Sequence, residues 1–187
     1  MTTSSYHHGD LRTALLQAAG EILEEQGLAA LSLREAARRA GVSHNAPYRH
    51  FPDRDSLLAA LAAQGFDFLD EALRKRPEGD RGLGYVEFAL AHPQRFRLMC
   101  GGQLRFDDHQ QLRAQAEGSY ANLQRSFADL AEDAPLAAAA AWSLVHGLAN
   151  LMLDGHFARG LSESGGVSAF AKKVLGSVRV ARAQRSA

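Results

Sequence analysis

The sequence predicts an all-α protein: an N-terminal three-helix unit carrying a helix-turn-helix, followed by a larger helical body. Two observations predict it. Apolar residues recur at helical spacing in one segment after another, and the segments are separated by glycine- and proline-rich breaks. β-Branched residues are sparse, and no alternating run is long enough for a strand.

Residues 1–9 are polar, and Tyr6-His7-His8 can rest on DNA or on the first helix. Asp10 can cap a helix to about Gln26, with Leu11, Leu15, Ala19, Ile22 and Leu23 on one face and Gly27 as its end. Leu28 and Leu31 then pack down. Ser32 and Glu35 form a capping box at the start of a second helix whose apolar face is Ala36, Ala37 and Ala40. Gly41 can take the left-handed stop, Val42 is the apolar contact after it, and Ser43 is a ready N-cap for a third helix. Pro47 falls in or just after that helix's first turn, so one main-chain bond is lost or the helix starts a residue later.

Pro52-Asp53 opens a linking helix of about residues 53–75, with Leu57, Leu58, Leu61, Phe68 and Leu69 inward. The run 77–82 (PEGDRG) is the clearest break. It sets a DNA-binding domain of 1–55, with its linking helix, against a body of 77–187. Within the body, Tyr85, Phe88, Ala89 and His92 mark a helix stopping at Pro93, and Phe96, Leu98 and Met99 a shorter one to about Cys100. A long helix follows from about Leu112 to Leu130. The most apolar helix runs from Leu136 to about Phe157, then a loop over Gly160 to Gly166. A last helix carries Val167, Phe170, Val174 and Val178 before the basic tail of Arg179, Arg182 and Arg185.

Composition narrows the function. Hydrophobic residues make up 46%, enough for a core, and charged residues 22%. The longest apolar runs, such as Ala137 to Trp142, fall short of a membrane span, and the N-terminus lacks the pattern of a secretory leader. One cysteine, Cys100, excludes an internal disulfide framework and fits the cytoplasm. No nucleophile–base pair, metal cluster or phosphate loop is recognisable, so neither an enzyme nor a cofactor or metal is expected.

The charge is local. The stretch from Ser32 to Arg54 sets Arg34, Arg38, Arg39, Arg49 and Arg54 against Glu35 and Asp53, a net +3 within a chain of zero formal charge. A basic island on a helix-turn-helix favours a polyanion at one place. A plain helical hairpin with a solvated charged face is the bland alternative.

The run LREAARRAGVSHNAPYRHFPDRDSLLAAL closely resembles the DNA-binding signature of the tetracycline-repressor family. YHHGDLR, YVEFALAHPQRFRLM and AWSLVHGLANLMLDG resemble the subgroup whose C-terminal domain carries a Trp…His-Gly motif, here Trp142, His146 and Gly147. The resemblance implies a homodimeric transcription regulator, usually a repressor released by a small ligand. It implies phosphate contacts from Tyr48, His50 and Arg54 and a base contact from Arg34. Side-chain chemistry agrees: hydroxyl, imidazole and guanidinium all donate to phosphate. The helix starts at Ser32, Ser43 and Asp53 can add backbone N–H donors. His44, Asn45 and Ala46 lead the recognition helix and Arg49 lies on its exposed side, so these are the candidate base readers with Arg34. Pro47 stands where leucine or threonine is commoner in the family, so the angle of this helix is the least transferable feature.

In the body, the helix over Leu136–Phe157 is apolar nearly all round, and the resemblance pairs it with the last helix (167–180) in a four-helix dimer interface. Two heads about 34 Å apart would read a palindromic operator in double-stranded DNA. Ser143, His146, Gly147, Asn150 and Asp154 form a polar stripe, read first as a contact with a neighbouring helix or the dimer mate and second as a pocket wall. An effector pocket is expected between the linking helix and the body, with candidates Phe66, Phe88, Phe96, Met99, Tyr120, Trp142, His146 and Asn150. The competing readings are an enzyme or ligand-binding protein using the body's cavity, and a protein–protein adaptor with a vestigial head. Turnover without DNA and salt-dependent DNA binding separate these from a regulator.

Overall fold

The structure, a computed structural model, describes residues 8–178, with side chains from Leu11 onward. The expectations for Tyr6, His7, the His8 side chain and the tail of Arg179, Arg182 and Arg185 fall outside it. Among the described residues there are helices and short 3-10 turns and no strand.

The chain divides into two compact units. One holds Met1–Gly65 with Gln94–Ala114, the other Phe66–Pro93 with Gln115–Ala187. This division differs from the boundary expected at residue 77: residues 94–114 group with the head.

In the first unit, helix α1 (His8–Gln26) starts two residues before Asp10, which therefore lies inside its first turn and is not its cap. Leu11, Leu15, Ala19, Ile22 and Leu23 are buried, as their spacing requires. A 3-10 turn (Leu28–Ala30) leads to α2 (Leu33–Arg39), where the Ser32 hydroxyl accepts from the Glu35 N–H at 3.1 Å. The Glu35 carboxylate holds Arg38, at 2.6 and 2.8 Å, so its side chain is drawn away from the reciprocal half of a capping box. Gly41 sits at φ 69°, and the Gly41 and Val42 N–H groups donate to the Arg38 and Ala37 carbonyls. That is a Schellman stop, and its left-handed residue is why a glycine is needed there.

Helix α3 (Arg54–Arg74) follows, then α4 (Arg81–Ala91), α5 (Pro93–Cys100), α6 (Gln110–Ser126), α7 (Ala134–Leu153), α8 (Ala158–Ser164) and α9 (Val167–Ser177). Helix α5 is held inside the first unit by two devices. The Glu24 carboxylate accepts the Gln94 and Arg95 backbone N–H groups at 3.2 and 3.0 Å, satisfying orphan donors at the helix start. The Arg95 side chain, only 6% exposed, donates to the Leu61 carbonyl and the Gln64 amide oxygen, both at 3.2 Å. Burial lowers its pKa, opposed in part by the Glu24 charge. Gly20 makes the room: a Cβ there would lie 2.5 Å from the guanidinium.

The second unit is centred on Leu83, Val86, Leu148, Met152 and Ala171, drawn from α4, α7 and α9, with Phe157 and Phe170 stacked at its edge, 5.2 Å between ring centres. Two expectations are corrected. The apolar helix ends at Leu153, short of Phe157, because Gly155 (φ 78°) turns the chain. The expected loop from Gly160 is mostly helix α8, which packs through Leu161 and carries an Arg159–Glu163 ion pair at 2.7 Å. A third concerns membranes. Counting uninterrupted apolar runs passed over α7, a 20-residue helix with an 18-residue stretch of mean hydropathy 1.5, long and apolar enough to cross a membrane by length and composition. Ser143, His146 and Asn150 interrupt the run without lowering that mean enough.

Candidate nucleic-acid interface

The second element of the motif is not the α-helix expected from Ser43. It is one 3-10 turn, Ala46–Arg49, with no side-chain cap. Pro47 is the physical reason: it has no N–H to return to the Ser43 carbonyl, which instead accepts from Ala46 at 3.0 Å. The proline ring is fully buried, and the His50 and Phe51 N–H groups both close onto the Pro47 carbonyl at 2.9 Å. A turn anchored this way presents its other residues outward. Ser43, His44, Asn45 and Arg49 are exposed, Tyr48 is 49% exposed, and Ala46 is half-buried.

The basic island resolves into three kinds of arginine. Arg38 is spent on Glu35, whose carboxyl it holds below the usual range, and Arg39 on Glu25 at 2.7 Å. Arg54 turns inward: its guanidinium donates to the Leu31 carbonyl at 2.8 Å and the Leu28 carbonyl at 2.7 Å, tying the start of α3 to the turn before α2. Arg34 and Arg49 are exposed and have no ion-pair partner among the described residues. Of the five arginines, only these two have neither a carboxylate nor a main-chain partner among the described residues; Arg54 keeps its charge but is tethered.

The helix starts are also partly taken. Asp53 accepts the Ser56 N–H at 2.7 Å and the Ser56 hydroxyl accepts the Asp53 N–H at 3.3 Å, a reciprocal cap that lowers the Asp53 pKa. His50 is half-buried, and its Nε2 is enclosed with no hydrogen-bond partner among the described residues. That nitrogen is withheld from an external phosphate, leaving Nδ1.

The effector candidates do not form one group. Phe96 and Met99 are sealed in the core of the first unit, while Phe66, Phe88, Tyr120, Trp142, His146 and Asn150 belong to the second. There Tyr85 joins the motif pair: its hydroxyl meets His146 Nδ1 at 2.9 Å and accepts from Trp142 Nε1 at 3.2 Å. Tyr120 packs against Trp142 at a tilt, with centroids 5.6 Å apart, and Trp142 is 43% exposed. Burial lowers the His146 pKa. Phe88 is buried beside His92, and the Asn150 amide donates back to the His146 carbonyl within the helix. Sequence reasoning placed Tyr85 only as an apolar helix residue, since nothing in linear spacing links it to a histidine 61 residues away. None of the effector candidates lines the cavity of about 240 Å³ in the first unit or the one of about 330 Å³ in the second.

Comparison with known proteins bears on this arrangement. Residues 15–61 match the family described as bacterial regulatory proteins, tetR family, and residues 81–174 match the tetracyclin repressor-like C-terminal domain. Over 81 residues the chain is 40% identical to the HTH-type transcriptional repressor Rv3405c of Mycobacterium tuberculosis, covering 43% of this chain and 41% of that one. The match thus spans about two fifths of the relative's length. A solved protein of unknown function from Rhodococcus sp. RHA1 is 34% identical with a TM-score of 0.75, covering 94% of this chain and 96% of that one. NalD of Pseudomonas aeruginosa, described as the secondary repressor of the MexAB-OprM multidrug efflux pump, is 25% identical with a TM-score of 0.55, covering 90% and 93%. With both halves matched in order, and Gly41, Tyr48 and the Trp142–His146 pair placed as above, the chain belongs to the tetracycline-repressor family of DNA-binding transcriptional regulators.

Proposed function

We propose that this chain is a homodimeric repressor that binds a palindromic operator and is released by a small-molecule effector. The observation that carries DNA recognition is the anchored turn, which turns Pro47 inward and leaves His44, Asn45, Tyr48 and Arg49 outward, with Arg34 free at the start of α2. On this reading Arg34, Asn45 and Arg49 read base edges with His44 and Ala46, and Tyr48 grips phosphate with Ser32 and Ser43. Arg54 serves chiefly to position the motif.

Dimerisation is supported by α7. Only 28% of its apolar window is buried within the chain, and Leu136 (66% exposed), Ala140, Ser143 and Leu151 form an uncovered stripe with the half-buried Gly147 along it. A second copy crossing at Gly147 would cover it, together with the outer face of α9. The effector is proposed to contact the half-open aromatic cluster of Tyr85, Tyr120, Trp142 and His146. A coupling of about 1–3 kcal/mol between effector and operator gives roughly 5- to 150-fold release. A regulator of this kind works in the cytoplasm.

Selection of bound duplexes from a random pool, with the mass of the complex measured in solution, tests the reading. Two-fold-related half-sites bound by two chains support it. Enrichment of a lone half-site by a monomer rejects the dimer, and no enrichment rejects sequence-specific binding.

A further inference from the structure

We propose that the cavity framed by Arg12, His50 and His109 in the first unit binds a small organic carboxylate, and that this ligand acts on the recognition turn. The coupling rests on the DNA-binding reading above; the binding does not.

The cavity, about 240 Å³, has a cationic edge and an apolar floor. Its edge carries Arg12, His50 and His109 with the Gln111 amide, and no carboxylate lines it among the described residues. The acidic groups nearby are engaged elsewhere. Asp53 is occupied by Ser56, Asp107 pairs with Arg113 and Asp108 with Arg105. The floor is the buried ring of Phe51 with Leu112.

Arg12 at this edge is short of an acceptor: its guanidinium lies over the Phe51 ring at 5.5 Å, which holds it in place, and its bond to Gln111 is a long one of 3.4 Å. A planar carboxylate accepts from the Arg12 guanidinium fork beside the His50 and His109 rings, and its organic body covers the apolar floor. Inorganic phosphate would satisfy the donors but leave the floor in water. The volume sits just below the usual range of ligand cavities, so the ligand is small.

The position gives the ligand an effect. His50 is the residue that closes the recognition turn, its N–H bonded to Pro47. A carboxylate held between His50, on that turn, and Arg12, on α1, fixes where the turn ends.

The test uses the full chain with ¹³C-labelled histidine, sodium benzoate as probe, benzamide as its uncharged counterpart, and inorganic phosphate. The expected result is a saturable shift of the His50 and His109 ring signals with benzoate, no such shift with benzamide, and a still His156. Arg12→Gln should weaken benzoate by roughly tenfold to a hundredfold, as loss of a charge-assisted contact implies. His109→Gln serves should Arg12→Gln fail to fold, and melting of both variants is followed by circular dichroism. The proposal is overturned by a shift that does not saturate, an equal response to benzamide, unchanged affinity in the folded variant, or tighter saturation of the same signals by phosphate. Unchanged affinity for the selected DNA at saturating benzoate overturns the coupling, while the operator selection judges DNA binding separately.

Discussion

Arg54 offers the sharpest separation between a role inside the fold and a role on DNA. Its guanidinium makes two charge-assisted hydrogen bonds, to the carbonyls of Leu31 and Leu28. Leu31 is almost fully buried, whereas Arg54 itself is exposed, so water can replace part of what Arg54→Ala removes. Charge-assisted bonds contribute about 1.5–3 kcal/mol each when protected. Discounting for exposure leaves a loss of about 1–2 kcal/mol in total, near the typical cost of a point substitution. At roughly 2–4 °C per kcal/mol for a chain this size, the melting temperature should fall by about 2–8 °C. The assay pairs thermal unfolding at 222 nm with the salt dependence of binding to a selected duplex. Arg54→Ala should melt early and keep its salt slope, whereas Arg34→Ala should melt normally and lose discrimination at one base pair, worth about 1–3 kcal/mol. An Arg54→Ala protein that melts like the parent while its salt slope drops by about one would refute the positioning role and restore Arg54 as a phosphate contact.

Other consequences are open to the same kind of check. Arg95→Ala removes a buried charge with two hydrogen bonds and leaves a void, so unfolding in urea should show a loss of roughly 3 kcal/mol. His146 has a folded pKa below its ordinary 6.5 because of burial, so the unfolded chain takes up the proton first as pH falls. Stability from this group is therefore complete above about pH 6.5 and is lost as pH drops through the folded value, and melting curves of His146→Gln should show a shallower acid slope. Leu151→Arg puts a charge in the uncovered stripe of α7, so sedimentation should find a monomer with unchanged helix content; a persistent dimer would place the interface elsewhere.

Most of the architecture was legible in linear order because helices are local structures. Ser32, Gly41 and the apolar spacing of α1 act through neighbours three or four residues away and do in the structure what that spacing requires, as do Leu57, Leu58, Leu61 and Leu69 on α3, although Phe68, expected inward with them, is 40% exposed. The consequence of Pro47 was legible too, since a missing N–H is a property of the residue, although the shortening to a single 3-10 turn exceeded it. Helix α8 was misread because three glycines between 160 and 166 resemble a loop. The segment is held helical by contacts with α9: a Cβ on Gly160 would lie 2.6 Å from the Phe170 ring.

By itself the sequence determined an all-α chain, the helix-turn-helix with its outward residues His44, Asn45, Tyr48 and Arg49, and the local surplus of positive charge. Tertiary structure alone decided which of those charges are free. Arg38, Arg39 and Arg54 look alike in composition, yet the first is paired with Glu35, the second with Glu25, and the third is held by main-chain carbonyls that position it without cancelling its charge, leaving Arg34 and Arg49 untethered. It also decided that residues 94–114 pack with the head, through Glu24 and Arg95, and that Tyr85 completes the Trp142–His146 pair. The reason is common to all of these. Helix formation depends on spacing along the chain, whereas the pairing of a buried or charged group depends on which distant segment supplies its partner, and that is settled only when the helices pack.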